Sequence, residues 1–350
     1  MRKNLASTRW LLTGLAVALT FSLSSFAQDH DGFNHPGNIL ISDQFNNRVI
    51  EVDPETHAIV WRFGDGSSVA GPHSVVAVND AQRVGPFTLI AGTGAPAGSE
   101  PTCPNGRNDN RVMLAAPDRN IVWQYGQAGV TGSGPNQLNT PVQNTWLPDG
   151  HILITDQGNQ RVIEITLNKQ IVWQYGQTGV SGSGPDQLNS PNSAELLANG
   201  HVLIADESNN RVIEVNRVKH IVWSYGSPNS DALNGAAFAS RLPDGHTLIT
   251  DSGNNRVLEV DHADTVVWSY QTNARPGSVS SPNPTRAVRL RNGNTLISDQ
   301  FNHQVIEVDH EGKIVFEQGK IAVSGNGFDR LNGPYDAKVN GDYTGLTPPF

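Results

Sequence analysis

In five copies of a repeat an Asp closes a short β-rich run and is followed three residues later by an Asn: Asp43 and Asn46, Asp156 and Asn159, Asp206 and Asn209, Asp251 and Asn254, Asp299 and Asn302. An Arg usually stands two positions further on, as in Arg48, Arg161, Arg211 and Arg256. Such oxygens could ligate a series of metal ions. They could also hold tight turns, because Asp and Asn side chains bond nearby backbone N–H groups, leaving the Arg to bridge to the Asp or to the next repeat. One active site does not need five equal copies, so the turn reading is preferred. The same logic applies to Trp61, Trp123, Trp173, Trp223 and Trp268, with Phe316 in register, which read as packing residues. His151, His201 and His246 each follow a Gly beside a turn and read as structural. The runs Gly132-Ser133-Gly134 and Gly182-Ser183-Gly184 are no phosphate loops, since neither leads into a helix.

Chemistry must therefore lie where the copies differ, and the copies define the elements. GHILITDQGNQRVIEITLNKQIVWQYG begins at Gly150, GHVLIADESNNRVIEVNRVKHIVWSYG at Gly200, GHTLITDSGNNRVLEVDHADTVVWSYQ at Gly245 and GNTLISDQFNHQVIEVDHEGKIVFEQG at Gly293. An early copy starts at Gly37, and a degraded one runs from about Pro86 to Gly126. Spacings of 50, 45 and 48 residues fit four-stranded propeller blades. Each copy holds three β-rich runs, and a fourth precedes it, as in Pro141–Leu147. The Gly37 copy lacks that preceding strand, whereas Asn332–Val339 resembles one with no blade after it. The expected fold is an all-β six-bladed propeller whose C-terminal strand completes the N-terminal blade and removes two sheet edges. The expected boundaries are 37–64 plus 332–340, 71–126, 140–176, 190–226, 235–271 and 282–319, in one domain over residues 28–350.

Aligned on Pro or its equivalent, the six inner strands place unlike residues around the rim of a central shaft. These are His73-Ser74-Val75, Val142-Gln143-Asn144, Asn192-Ser193-Ala194, Ala237-Phe238-Ala239, Thr285-Arg286-Ala287 and Pro334-Tyr335-Asp336, with Glu195 one step further in. The candidate ligand-binding set is His73, Gln143, Asn144, Asn192, Ser193, Glu195, Phe238, Arg286, Tyr335 and Asp336. Its mixture suits a polar pocket with aromatic walls for a small molecule, peptide or glycan. Glu195, Asp336, Asn144 and His73 would offer a calcium ion mostly oxygen ligands. The connection Gly94–Asn108 is the longest between second and third strands and would overhang the same face.

The stretch GQTGVSGSGPDQLNSP followed by GHVLIADESNNRVIEV resembles the NHL-type propeller repeat, and RLPDGHTLITDSGNNRVLEV with IVWSY is similar to arylsulfotransferase-type repeats. The resemblance covers nearly all of the chain after residue 27. It implies a binding module or, alternatively, a lyase or sulfuryl transferase at the shaft mouth, with His73 as base and Arg286 holding an anionic group. A zinc site of the amidating-lyase kind would need histidines converging on the shaft, which only His73 and the N-terminal His30 and His35 could approach. A structural envelope scaffold is a third alternative.

Composition agrees with turns and sandwiched strands: 35 Gly, 21 Pro and only 16% charged residues in 350. Arg2, Lys3 and Arg9 ahead of the apolar run from Trp10 to Leu23, with Ser25-Phe26-Ala27 as a cleavage site, read as a signal peptide over residues 1–27. Its loss would take the net charge from −9 to −12. That acidity argues against nucleic acid as a partner. The expected product is secreted or periplasmic, monomeric and not membrane-embedded, with Cys103 unable to form an internal disulfide.

Overall fold

Short strands of Val, Ile and Leu, each closed by a turn of Gly, Asp or Asn, can bury both faces only by stacking sheets side by side. The computed structural model, which describes residues 32–98, 105–226 and 232–350, does this with six four-stranded antiparallel sheets arranged as a β-propeller. Blade 1 is ordered β24 (Pro334–Val339), β1 (Ile39–Asp43), β2 (Arg48–Val52), β3 (Ile59–Phe63). Blade 2 contains β4 (Val78–Val84), β5 (Phe87–Ala95), β6 (Arg107–Ala115) and β7 (Ile121–Gly126). Blade 3 contains β8 (Pro141–Trp146) to β11 (Ile171–Tyr175), and blade 4 β12 (Pro191–Leu196) to β15 (Ile221–Tyr225). Blade 5 contains β16 (Ala236–Arg241) to β19 (Val266–Gln271), and blade 6 β20 (Pro284–Arg289) to β23 (Ile314–Gly319). The C-terminal strand closes the ring as expected, with Ile39 opposite Val339 and Ile41 opposite Ala337.

The recurrent residues are fasteners. Asp156 accepts from Asn139 N at 2.8 Å, Asn159 Nδ2 at 2.7 Å and Arg161 Nε at 2.8 Å, and Asp43 repeats the set with Asn332, Asn46 and Arg48. The carboxylate thus pins the loop leading into its own blade rather than only its own turn. Each of the five 3-10 turns that follow a turn Asp ends on a left-handed residue, a conformation Asn tolerates best among non-glycines, and its side chain holds the lead-in of the next blade. Asn47 accepts from Ala77 N at 2.9 Å and Asn210 from Gly235 N at 2.8 Å. Between blades, strand-four tryptophans donate to the following blade's hairpin turn: Trp173 Nε1 to Arg217 O at 3.1 Å, Trp268 Nε1 to His310 O at 2.8 Å. Arg217 stacks 4.7 Å above Trp173 while pairing with Glu164.

Blade 2 explains why its sequence copy is degraded. Gly92 stands where other blades have the turn Asp, and the carboxylate comes instead from Asp109 on β6. Asp109 pairs with Arg111 at 2.5 Å and accepts from Val76 N at 2.8 Å, reproducing the other blades' contacts. A Cβ on Gly92 would sit 2.5 Å from the Asp109 carboxyl carbon, so the glycine and the relocated acid require each other. Val76 is thereby the equivalent of Asn139, which makes Val78, not Pro72, the start of the inner strand. The inner strand of blade 2 is shifted accordingly: His73 lies in the lead-in loop, exposed, and Asp80 takes the rim position. The two ends of the Gly94–Asn108 connection, Gly94-Ala95 and Arg107-Asn108, extend β5 and β6; residues 99–104, with Cys103, lie outside the described residues, as do 1–31.

Blade 6 relocates the opposite charge. Gln304 occupies the usual Arg position, and Arg275 reaches in from the preceding loop to pair with Asp299. Burial outweighs that partner and raises the Asp299 carboxyl from the ordinary 3.8 to about 6. The unfolded carboxyl then loses its proton first, so this group's contribution to stability is greatest below pH 4 and declines as pH rises through 6. Melting temperatures measured from pH 4 to 7 should therefore fall less steeply for Asp299→Asn than for the parent. An unchanged slope rejects the assignment.

Candidate functional site

Inner strands β24, β4, β8, β12, β16 and β20 contact one another around the shaft, each presenting an unpaired sheet edge to it. A buried edge N–H needs an acceptor, and the residue two after the Pro position supplies one to the next blade. Asp80 accepts from Asn144 N at 3.1 Å, Gln143 from Ala194 N at 2.8 Å, Ser193 from Ala239 N at 3.3 Å and Asp336 from Ala81 N at 3.3 Å. At the remaining two places stand Phe238 and Arg286, neither of which is an acceptor. There the Arg286 guanidinium stacks 4.2 Å above the Phe238 ring. The variety of rim residues is thus partly a closing relay of edge contacts.

Charge is balanced deeper in the shaft. Arg286 Nη2 is 3.1 Å from Asp80 Oδ1 and its Nε 3.0 Å from Asp336 Oδ1. Lys338 Nζ lies 2.7 Å from Asp80 Oδ1 and 2.5 Å from Asp336 Oδ2. Asn144 Nδ2 donates to the remaining oxygen of Asp80 at 2.7 Å. Glu195 accepts from Gln143 Nε2 at 2.7 Å and, on its other oxygen, from Thr347 N at 2.9 Å and Thr347 Oγ1 at 2.6 Å. Burial raises the Glu195 carboxyl above its usual range. Of the oxygen set expected for calcium, Glu195 is therefore saturated by the C-terminal segment, Asp336 faces an ammonium and a guanidinium, and Asn144 serves Asp80. His73 is not among them. It lines a shallow depression with Arg62, Asp65, Asp118 and Arg119, while Arg286 is 1% exposed inside the shaft, so the expected base and anion holder do not come together.

The shaft mouth on the 3-10 turn face is differently built. The residue directly after each turn Asp stands at it, one per blade: Gln44, Gln157, Glu207, Ser252 and Gln300, with Thr93 at the matching position of blade 2. Gln300 Nε2 donates to Gln44 Oε1 at 2.7 Å and Gln44 Nε2 to Asn79 Oδ1 at 2.7 Å. Asn192 Nδ2 bonds Glu207 Oε2 at 2.8 Å and, across the ring from blade 4 to blade 1, Tyr335 Oη at 2.8 Å. Gln157 Nε2 also donates to Glu207, at 3.2 Å. Burial raises the Glu207 carboxyl, and burial plus the Glu207 charge raises the Tyr335 phenol far above its usual value. The mouth is a floor of carboxamides and two groups held toward their neutral forms. Of the residues singled out in the sequence, Asn192 and Tyr335 belong to it; Gln143, Asn144, Ser193, Glu195, Phe238, Arg286 and Asp336 line the shaft below. Gln44, Asn79, Gln157, Glu207 and Gln300 were not anticipated. For four of them a signal was visible in the repeats: the position after the constant Asp is polar in every copy, Gln in three, Glu in one and Ser in one.

No protein-family model and no curated protein matches this chain. Solved structures do. A protein of unknown function from Bacteroides caccae is 16% identical over 81% of this chain and 93% of its own, with a TM-score of 0.56. A streptogramin B lyase structure is 13% identical over 83% and 80%, with a TM-score of 0.53. The WD40 β-propeller domain of Doa1 is 10% identical over 81% and 79%, with a TM-score of 0.51. At these identities the likeness is one of fold.

Proposed function

We propose that this chain is an exported, NHL-type propeller that binds a neutral, hydroxyl-rich ligand, a glycan in the first instance, at the shaft mouth on the face of the turns between second and third strands. The observation that carries the reading is the ring of Gln44, Asn79, Gln157, Asn192 and Gln300 around Tyr335 and Glu207. Carboxamides donate and accept at once, as sugar hydroxyls do, and a phenol supplies a flat apolar wall with a polar tip. Among the described residues named at the mouth none carries a positive charge, which favours a neutral ligand over an anionic one. A second reading, an enzyme at the same mouth, is favoured by one feature: Glu207, raised by burial, is suited to give up a proton as a general acid.

The test is calorimetric titration of a panel of neutral and acidic oligosaccharides into the chain from residue 28 onward. A neutral glycan should bind, and Asn192→Ala and Gln157→Ala should each weaken it about tenfold, the value of one or two lost hydrogen bonds. His73→Ala should leave it unchanged. Binding that ignores both mouth substitutions, or a preference for acidic ligands, overturns the proposal.

A further inference from the structure

On the face away from the mouth, four positions in each blade converge where the first hairpin turn meets the turn between strands three and four. In blade 3 they are Asp149, His151, Glu164 and Leu167, in blade 4 Asn199, His201, Glu214 and Arg217, and in blade 6 Asn292, Asn294, Glu307 and His310. Blade 5 has Asp244, His246, Glu259 and His262, so that among the described copies it alone has a metal-ligating side chain at every one of the four. We propose that this corner of blade 5 is a binding site for a divalent transition-metal ion of the zinc class.

The geometry is that of a small mixed nitrogen and oxygen set. His246 Nδ1 lies 2.7 Å from Glu259 Oε1 and 3.6 Å from Asp244 Oδ2, and one ligand atom from each of the three falls within 4.8 Å of the others. His262 is the independent observation. Its ring stands edge-on to that of His246, with centroids 5.9 Å apart at 76°. It is seated directly on Gly245: a Cβ there would lie 2.3 Å from His262 Cε1. Gly245 has φ +89°, so the turn both needs glycine and leaves room for the second imidazole only because it is glycine. Two imidazoles and two carboxylates suit zinc better than calcium or magnesium, which take oxygen almost alone.

The surroundings support ligand function. The second oxygen of Glu259 accepts from Arg289 Nη2 at 2.8 Å, which fixes the orientation of the first. Asp244 is 58% exposed, giving an ion an entry path. Blade 4 is a built-in comparison. The same His201–Glu214 contact, at 2.7 Å, is present there, but Asn199 replaces the Asp and Arg217 replaces the second His. The His–Glu pair is thus the common fastener of the fold; blade 3 adds the Asp, with Asp149, His151 and Glu164 grouped in the same way, and the second imidazole, His262 in place of Leu167, is what distinguishes blade 5.

The experiment is titration of the untagged chain with zinc chloride by isothermal calorimetry, with the parent, Asp244→Asn, His262→Gln and the double variant. All four positions are on turns or strand ends, and thermal melts without metal identify any variant that fails to fold. One site per chain is expected. Each single substitution should weaken it by about tenfold or more, and His151→Gln in blade 3 should leave it unchanged. X-ray absorption of the zinc-loaded parent should show two imidazole ligands. Zinc binding that is absent in the parent, or equal in the double variant, overturns the proposal, as does a zinc site with a single imidazole.

Discussion

Replacing Arg286 with leucine is expected to lower the unfolding free energy by about 3–5 kcal/mol, the cost typical of removing one partner from a buried ion pair. The guanidinium is 1% exposed and stands between two carboxylates, Asp80 and Asp336, both fully buried. Without it Asp80 and Asp336 share a single base, Lys338, and one of the two carboxylates is left buried without a cation of its own. The substitution also strips the cation from the face of Phe238. The effect should appear in urea or thermal unfolding. Asp80→Asn combined with Arg286→Leu should cost much less than the two single costs added, because that pair removes an acid with the base. Additive costs would show that the four charges do not act as one network. Ligand affinity at the mouth should change little, which separates this role from that of an anion holder.

Ending the chain at Gly333 is expected to abolish cooperative unfolding, whereas ending it at Asp342 should leave a folded ring of reduced stability. The first truncation removes β24, and with it the pairing of Ile39 to Asp43 with Pro334 to Val339, and strips Asp336 and Lys338 from the shaft. It leaves β1, every residue of which is buried, as an open edge. The second truncation removes only the segment that runs under the shaft, where Leu346 packs with Phe238 and Val288 and Thr347 caps Glu195. Losing Leu346 alone forfeits about 1.5–3 kcal/mol of burial, and the second oxygen of Glu195 loses both its donors, Thr347 N and Oγ1. Circular dichroism melts decide both cases. A sharp transition in the chain ending at Gly333 would mean that five blades suffice.

The fold was legible because repetition multiplies a weak signal: Asp, Asn, Arg and Trp recur at fixed offsets in sheets that all solve the same packing problem. The site was legible only in part. Arg286, Asp336, Phe238 and Tyr335 were found because each interrupts an otherwise regular inner strand. Asp80 was hidden by a compensated exchange, since the turn carboxylate of blade 2 moved from β5 to Asp109 on β6 and took the alignment landmark with it. The role of Thr347 was invisible because the segment that carries it occurs once and is held by contacts with β4 and β12, more than 150 residues away in sequence.

The pairing of Ile39 with Val339 places a time order on assembly. During synthesis, blades 2 to 6 consist of consecutive strands and can form as they emerge, but the first strands to appear have no inner neighbour until the last ones arrive. The chain entropy of joining such distant ends rises only slowly with separation, yet the wait is set by how fast the polypeptide is made. If the chain is exported as proposed, a ring that cannot lock before its final strand is available stays open for threading across a membrane and becomes rigid only on the far side.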